Sequence, residues 1–179
     1  GCDLPCVFFP YSWQGRQTGW KARSFPEKHF VSAKGGKYSF WNIDAVLKAN
    51  PGTVYITEGE PDACALVEAG ISHEQVLSVP TGAREKRGEN DAGDKDARPG
   101  LAYVEAALQA GLSRVKRFVW CGDMDAPGRA LREDMVASLG AARFWFVDWP
   151  DGVNDANAFL ISDGAAEVHD RVVHGAVAW

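Results

Sequence analysis

The stretch TEGEPDA at residues 57–63 decides the fold, because it places acidic side chains where an apolar strand gives way to a helix. The run VYI at residues 54–56 is typical of a buried strand. Gly59 allows a sharp turn, and Pro61 suits the first position of a helix. Glu58 then ends the strand, Asp62 lies in the first helical turn, and Glu60 is expected to face solvent. Asp62 alone would also fit a purely helix-stabilising role, whereas Glu58 interrupts an apolar run and suggests a functional site.

Two further acidic groups follow apolar runs in the same way. Asp123 and Asp125 come after FVW at residues 118–120, and Asp155 comes after FWFV at residues 144–147. Asp-x-Asp on an extended segment would place both carboxylates on one side, although surface loops also contain such pairs. Asp155 would equally fit a helix cap. Acids gathered at one sheet edge repel each other unless a hard cation neutralises them, so the combination predicts a Mg²⁺ site, with Mn²⁺ possible because it takes the same oxygen ligands.

Strands and helices alternate through most of the chain. This pattern predicts an α/β fold whose mostly parallel sheet is covered by helices on both faces, with the ligand at the carboxyl ends of the strands. Residues 1–50 instead read as a small β-rich segment with a hairpin around residues 14–17, and 51–179 as the α/β domain. The predicted strands are 53–57, 75–79, 116–120 and 142–147, and the predicted helices are 61–69, 100–110, 127–139, 155–161 and 165–173.

Composition narrows the class of protein. A chain of 179 residues with 46% apolar content can build a full core, and it has no apolar run of membrane-spanning length. We therefore expect a soluble, cytoplasmic protein with no membrane partner. Its cysteines lack the spacing of a zinc site, and Cys64 and Cys121 are expected to be small buried hydrophobes.

Charge is distributed unevenly. The net charge of −5 argues against gripping nucleic acid by bulk electrostatics. Residues 1–50 nevertheless hold seven Lys/Arg against three Asp/Glu, and the rest hold twelve against twenty-one. A basic segment beside an acidic site suits a phosphate-bearing substrate bridged by metal, although ordinary surface charge would give the same numbers. Residues 84–98, with five basic and five acidic side chains, are expected to form a surface loop near the site.

Four motifs together resemble the toprim domain, which primases, topoisomerases and some nucleases share. They are TEGEPDA (57–63), VPTGA (79–83), GDMDAPGRA (122–130) and NDAN (154–157), and the resemblance covers roughly residues 53–163. The details are most similar to phage-type primase–helicases and the related Twinkle helicases. Asn154 stands where that group typically has lysine. GWKAR (19–23) and KHF (28–30) resemble the basic end of the primase N-terminal subdomain.

This resemblance implies a DNA-directed nucleotidyltransferase that makes RNA primers on single-stranded DNA by a two-metal reaction. The metal would activate a nucleotide 3′-hydroxyl and offset charge on the leaving pyrophosphate. The implied metal ligands are Glu58, Asp123 and Asp125, with Asp62 and Asp155 completing the catalytic site; the implied phosphate contacts are Lys21, Arg23, Lys28 and Lys86. The implied partners are nucleoside triphosphates, a single-stranded DNA template and a replicative helicase, fused or separate.

Other interpretations remain open. A toprim nuclease would use the same carboxylates to activate water, and a Twinkle-like helicase can keep the fold as a non-catalytic module. A topoisomerase is disfavoured because no tyrosine looks placed as its nucleophile. A phospho-acceptor receiver domain fits the Asp-x-Asp pair poorly. No upstream zinc module and no helicase phosphate-binding loop occur in the sequence, so we expect a fragment of a longer replication protein that needs other domains for activity.

Overall fold

The computed structural model describes residues 5–80 and 101–179, and it begins with a small antiparallel sheet. The first two strands form a hairpin that turns at Gln14 and Gly15, both of which have positive φ. The predicted hairpin is confirmed, and a third strand extends the sheet. The sheet consists of β1 (Cys6–Trp13), β2 (Arg16–Ser24) and β3 (Phe30–Ser32), in the order β1-β2-β3.

A five-stranded sheet forms the main body. Its first four strands are parallel, and the last strand runs antiparallel to its neighbour. The strands are β4 (Thr53–Thr57), β5 (Val76–Ser78), β6 (Arg117–Trp120), β7 (Phe144–Phe146) and β8 (Val177–Ala178), in the spatial order β5-β4-β6-β7-β8. The mostly parallel α/β architecture is therefore confirmed. β8 was not predicted, because two residues at the end of the chain carry no usable periodicity.

Six α-helices occur in the described residues. Pro61 and Pro127 lie in the first turns of their helices, as expected for a residue that fixes φ and lacks an N–H donor. The helices are α1 (Ile43–Ala49), α2 (Glu60–Glu68), α3 (Ala102–Ala110), α4 (Ala126–Leu139), α5 (Ala156–Asp163) and α6 (Ala165–Val173). All but α1 were predicted to within a few residues.

Both faces of the main sheet are buried. Val54 and Ile56 pack with Phe118 in one apolar cluster, whereas Tyr55 and Val119 belong to the other, as the two-residue period of a strand requires. Side chains from α1, α3 and α4 complete the first cluster, and side chains from α2, α5 and α6 complete the second. Helices on both faces hold the sheet rigid and leave its carboxyl edge open to carry a site.

Helix α1 joins the small sheet to the main one. Ile43 and Val46 are buried in the same cluster as Val54, so part of the predicted first segment packs into the core of the second. An isolated bridge between Trp41 and Ser78 adds a backbone contact to the edge strand β5. The sequence did not predict α1 because the helix is only seven residues long. The proposed boundary at residue 50 stays a prediction.

Candidate active site

A cavity of about 380 Å³ lies between the small sheet and the carboxyl edge of the main sheet. One side of it is acidic and the other is basic. We call the acidic side chains the acidic edge and the basic ones the basic wall. The acidic edge is Glu58, Asp62, Asp123 and Asp155, and the basic wall is Lys21, Arg23 and Lys28. The structure therefore brings together seven of the nine residues that the sequence singled out.

Asp62 is the most buried member of the acidic edge. It lies in the first turn of α2, is 9% exposed, and accepts a hydrogen bond of 3.1 Å from the backbone N–H of Asn157. Burial first, and then the charge of Asp155, raise the pKa of Asp62 to about 8. A Cβ atom on Gly59 would lie 2.9 Å from an Asp62 carboxylate oxygen, so glycine lets the turn pass close to this side chain.

Asp123 is half-buried after the end of β6. Burial, followed by the charges of Glu58 and Asp155, raises the pKa of Asp123 to about 7, while Lys28 acts in the opposite direction. The Asn154 side-chain amide donates to Asp123 Oδ2 at 3.2 Å. Gly128 packs tightly beneath, because a Cβ there would lie 2.4 Å from the Asp123 carbonyl oxygen. Burial is the larger cause of both raised pKa values, and repulsion from the neighbouring carboxylates adds to it.

Two of the candidate acids also act as helix caps. Asp125 Oδ1 accepts from the Gly128 N–H at 2.8 Å, and Asp155 Oδ1 accepts from the Ala158 N–H at 2.7 Å. Asp155 still lines the cavity, but Asp125 is exposed and is not among the lining residues. The expectation that Asp123 and Asp125 share one side of an extended segment is wrong. β6 ends at Trp120, Asp125 is the N-cap of α4, and only Asp123 of the two lines the cavity.

The basic wall comes from β2 and from the connection between β2 and β3. Lys21 on β2 lies 2.7 Å from Glu60 Oε1. The Arg23 guanidinium lies 4.9 Å from the Phe25 ring centroid and 5.9 Å from that of Phe30. Lys28 also lies over the Phe30 ring, at 5.9 Å. These ring contacts restrict the cations, so the basic wall is partly ordered before any ligand binds.

The expectation that Glu60 faces solvent is wrong. Glu60 is 2% exposed, pairs with Lys21, and accepts a hydrogen bond from the Tyr11 hydroxyl. The sequence places Glu60 at a helix start, where exposure is common, but it does not show that the small sheet packs over that start. A buried acid surrounded by a lysine and a tyrosine from another sheet has no local sequence signature.

The remaining sequence-based interpretations have mixed outcomes. Lys86 and the loop around it lie outside the described residues. Trp149, close before Asp155 in the chain, is buried and donates its indole N–H to the Gly122 carbonyl oxygen at 3.1 Å, so it packs in the core. Cys121 is buried as expected, but Cys64 is exposed. No helix in the described parts of the chain is long and apolar enough to cross a bilayer.

The donor chemistry of the acidic edge fits a hard divalent cation. Carboxylate oxygens are the ligands that Mg²⁺ prefers. A cation would offset both the burial and the mutual repulsion that raise the pKa of Asp62 and Asp123. Within residues 5–80 and 101–179, however, no three carboxylate, histidine or cysteine side chains converge into a complete metal site. The protein therefore offers part of a coordination shell.

The fold and this acidic edge define a toprim-type α/β domain, and comparisons with known proteins agree. The chain is 31% identical over 177 residues to a primase homolog protein of Arabidopsis thaliana, matching 96% of this chain and 51% of that protein. It is also 31% identical over 167 residues to a chloroplastic/mitochondrial Twinkle homolog of the same plant, matching 90% of this chain and 23% of that protein. The chain thus spans about half and about a quarter of these relatives. No protein-family model matches it.

Solved structures show the same fold. The primase fragment of the bacteriophage T7 primase–helicase aligns with a TM-score of 0.68 at 20% identity, over 94% of this chain and 62% of that one. A T7 primase domain, from a complex of lagging-strand DNA polymerase with an RNA/DNA hybrid and dTTP, aligns at 0.70 with 19% identity, over 98% and 80%. The chain is homologous to proteins named as primase and Twinkle homologs, and its fold is the toprim fold seen in primase domains.

Proposed function

We propose that this chain is the catalytic toprim part of a DNA primase that makes RNA primers on single-stranded DNA with Mg²⁺. One observation carries the proposal: the acidic edge faces the basic wall across a single cavity of about 380 Å³. Such an arrangement suits a nucleoside triphosphate bound together with a metal ion. The carboxylates would bind the metal ion, and the lysine and arginine side chains would bind phosphate oxygens.

Each side chain has a defined task in this proposal. Glu58 and Asp123 hold the cation, because Mg²⁺ is commonly bound by one or two carboxylates together with substrate phosphates and water. This division fits a protein whose own side chains complete only part of the shell. When bound, the metal supplies an activated 3′-hydroxyl and charge stabilisation at the phosphates. Lys21, Arg23 and Lys28 bind and orient the triphosphate.

Asp62 and Asp155 act as supports of the acidic edge. Asp62 fixes the start of α5 through the Asn157 N–H, and Asp155 caps the same helix. The hydrogen bond from Asn157 to Asp62 holds α2 and α5 together beside the cavity. Asp125 caps α4 and lies outside the cavity lining, so its role as a metal ligand stays a prediction. Mn²⁺ would occupy the same oxygen site.

The names of the relatives, a primase homolog and a Twinkle homolog, support a role in priming and an association with a helicase. We extend to this chain the single-stranded DNA template, the nucleoside triphosphate substrates and the helicase association that primase–helicases imply. The T7 structure is described with an RNA/DNA hybrid, which is the type of product that RNA priming on a DNA template would give. The expected cytoplasmic location stays a prediction, and the Twinkle homolog is named chloroplastic/mitochondrial.

Primer synthesis on single-stranded DNA, measured with the full-length gene product and labelled ribonucleotides, tests the proposal. Glu58→Gln should reduce the rate by about 100-fold or more, because it removes a charged ligand worth several kcal/mol in the transition state. Glu68→Gln, on the exposed surface of the same helix α2, is the matched control and should leave the rate unchanged. Equal rates for all three proteins would contradict a catalytic role for the acidic edge.

A non-catalytic module of a replicative helicase is the second candidate. The similarity to a Twinkle homolog over 90% of this chain favours it. Under this alternative, Glu58→Gln would leave both priming and helicase activity unchanged. Metal-dependent cleavage of the DNA template, lost in the same variant, would instead indicate a toprim nuclease.

A further inference from the structure

Glu60 lies between Glu58 and Asp62 in the chain and lines the same cavity, but its carboxylate is paired with the small sheet. Two groups of the small sheet contact Glu60 Oε1: the Lys21 ammonium, at 2.7 Å, and the Tyr11 hydroxyl, which donates a hydrogen bond to it. Tyr11 is fully buried, and the Glu60 side chain is only 3% exposed. The three residues therefore form a buried contact between β1, β2 and the start of α2, which we call the Tyr11–Glu60–Lys21 group.

This group fixes a lysine that also lines the cavity. The Lys21 side chain is 17% exposed, and its ammonium lies 5.4 Å from the Tyr11 ring centroid as well as beside Glu60. An ammonium has three N–H donors, so one bond to Glu60 leaves others for a ligand. A free lysine would lose its rotamer freedom on binding phosphate, and such ordering weakens binding. A lysine already held in place avoids much of that loss.

We propose that Glu60 and Tyr11 are positioning residues that pre-order Lys21 for contact with the phosphates of a nucleoside triphosphate. The inference rests on the proposed function, since it names how one phosphate contact of that site is prepared. Glu60 contributes through Lys21, and it is neither a metal ligand nor a solvated acid. The Tyr11 hydroxyl holds the Glu60 carboxylate in the orientation that receives the ammonium.

Tyr11→Phe tests this role without changing the charge of the cavity. ATP binding in the presence of Mg²⁺ is measured by calorimetry for the wild type, Tyr11→Phe, Lys21→Met and the double variant. Tyr11→Phe should weaken binding about three- to tenfold in the wild-type background, the range expected for one extra side chain to be ordered. In the Lys21→Met background the same change should have no further effect. Tyr103→Phe, whose ring packs against Phe40, is the matched control and should bind ATP normally.

The outcomes distinguish failure of the proposed function from failure of the positioning role alone. Absence of ATP binding by the folded wild type would refute the proposed function and this inference with it. Normal wild-type binding that Tyr11→Phe leaves unchanged, or weakens equally in both backgrounds, would overturn only the positioning role. Thermal unfolding checks that each variant is folded. If Tyr11→Phe does not fold, the ammonium signal of Lys21 is followed by ¹⁵N NMR in the wild type instead. No chemical-shift change of this signal on addition of ATP would refute the inference.

Discussion

Replacing Asp62 with asparagine should change how the stability of this protein depends on pH. An aspartate in an unfolded chain has a pKa near 3.9, whereas burial and Asp155 raise the pKa of Asp62 to about 8 in the folded protein. Between those values the folded chain keeps a proton that the unfolded chain has released, so stability falls as pH rises. At about 1.4 kcal/mol per pH unit, the interval between the two pKa values corresponds to roughly 6 kcal/mol. Structural relaxation around Asp155 reduces this free energy, so we expect the pH-dependent change in the free energy of unfolding to be about 2–4 kcal/mol.

Asparagine imitates the protonated acid and cannot ionise. Asp62→Asn should therefore match the wild type near pH 4 and be about 2–4 kcal/mol more stable near pH 8.5. Urea unfolding with EDTA present, followed by tryptophan fluorescence, measures both proteins across this range. Asp151→Asn, at an exposed turn position, is the control and should show no pH-dependent difference. A stability difference between Asp62→Asn and the wild type that stays constant with pH would refute the argument that Asp62 is strained by its surroundings.

Two further substitutions test the packing beneath the acidic edge. Gly128→Ala should lower the free energy of unfolding by about 1–3 kcal/mol, because the new Cβ would meet the Asp123 carbonyl oxygen at 2.4 Å; Gly52→Ala, which has open space around it, is the control in the same urea assay. Trp149→Phe should cost about 1–3 kcal/mol, since it leaves the buried Gly122 carbonyl without its indole donor. A change below about 0.5 kcal/mol for either substitution would show that the contact is not tight.

The sequence carries most of the information about the main sheet and its acidic edge. Thr53–Thr57 forms the predicted strand because its apolar side chains are buried on both faces of a parallel sheet. Glu58, Asp62, Asp123 and Asp155 meet because the carboxyl ends of parallel strands share one edge. These conclusions depend on local patterns and on a general rule of α/β topology.

The sequence does not reveal contacts that the small sheet makes with the main one. The burial of Glu60 depends on Tyr11, forty-nine residues earlier in the chain, and no periodicity reports such a contact. The position of Asp125 was not predicted for a related reason. Side chains alternate between the two faces only within a strand, and β6 ends before Asp125 is reached. The short helix Ile43–Ala49 is stabilised by packing against the main core, which local propensity does not describe.

A magnesium titration by calorimetry, with the wild type and with Asp123→Asn, tests the central claim most directly. Each protein is titrated first alone and then with a nucleoside triphosphate. We predict that the wild type binds Mg²⁺, that nucleotide tightens the binding because phosphates complete the shell, and that Asp123→Asn loses both effects. Equal binding by the two proteins, or no binding by the wild type with nucleotide present, would contradict a metal–nucleotide site at the acidic edge.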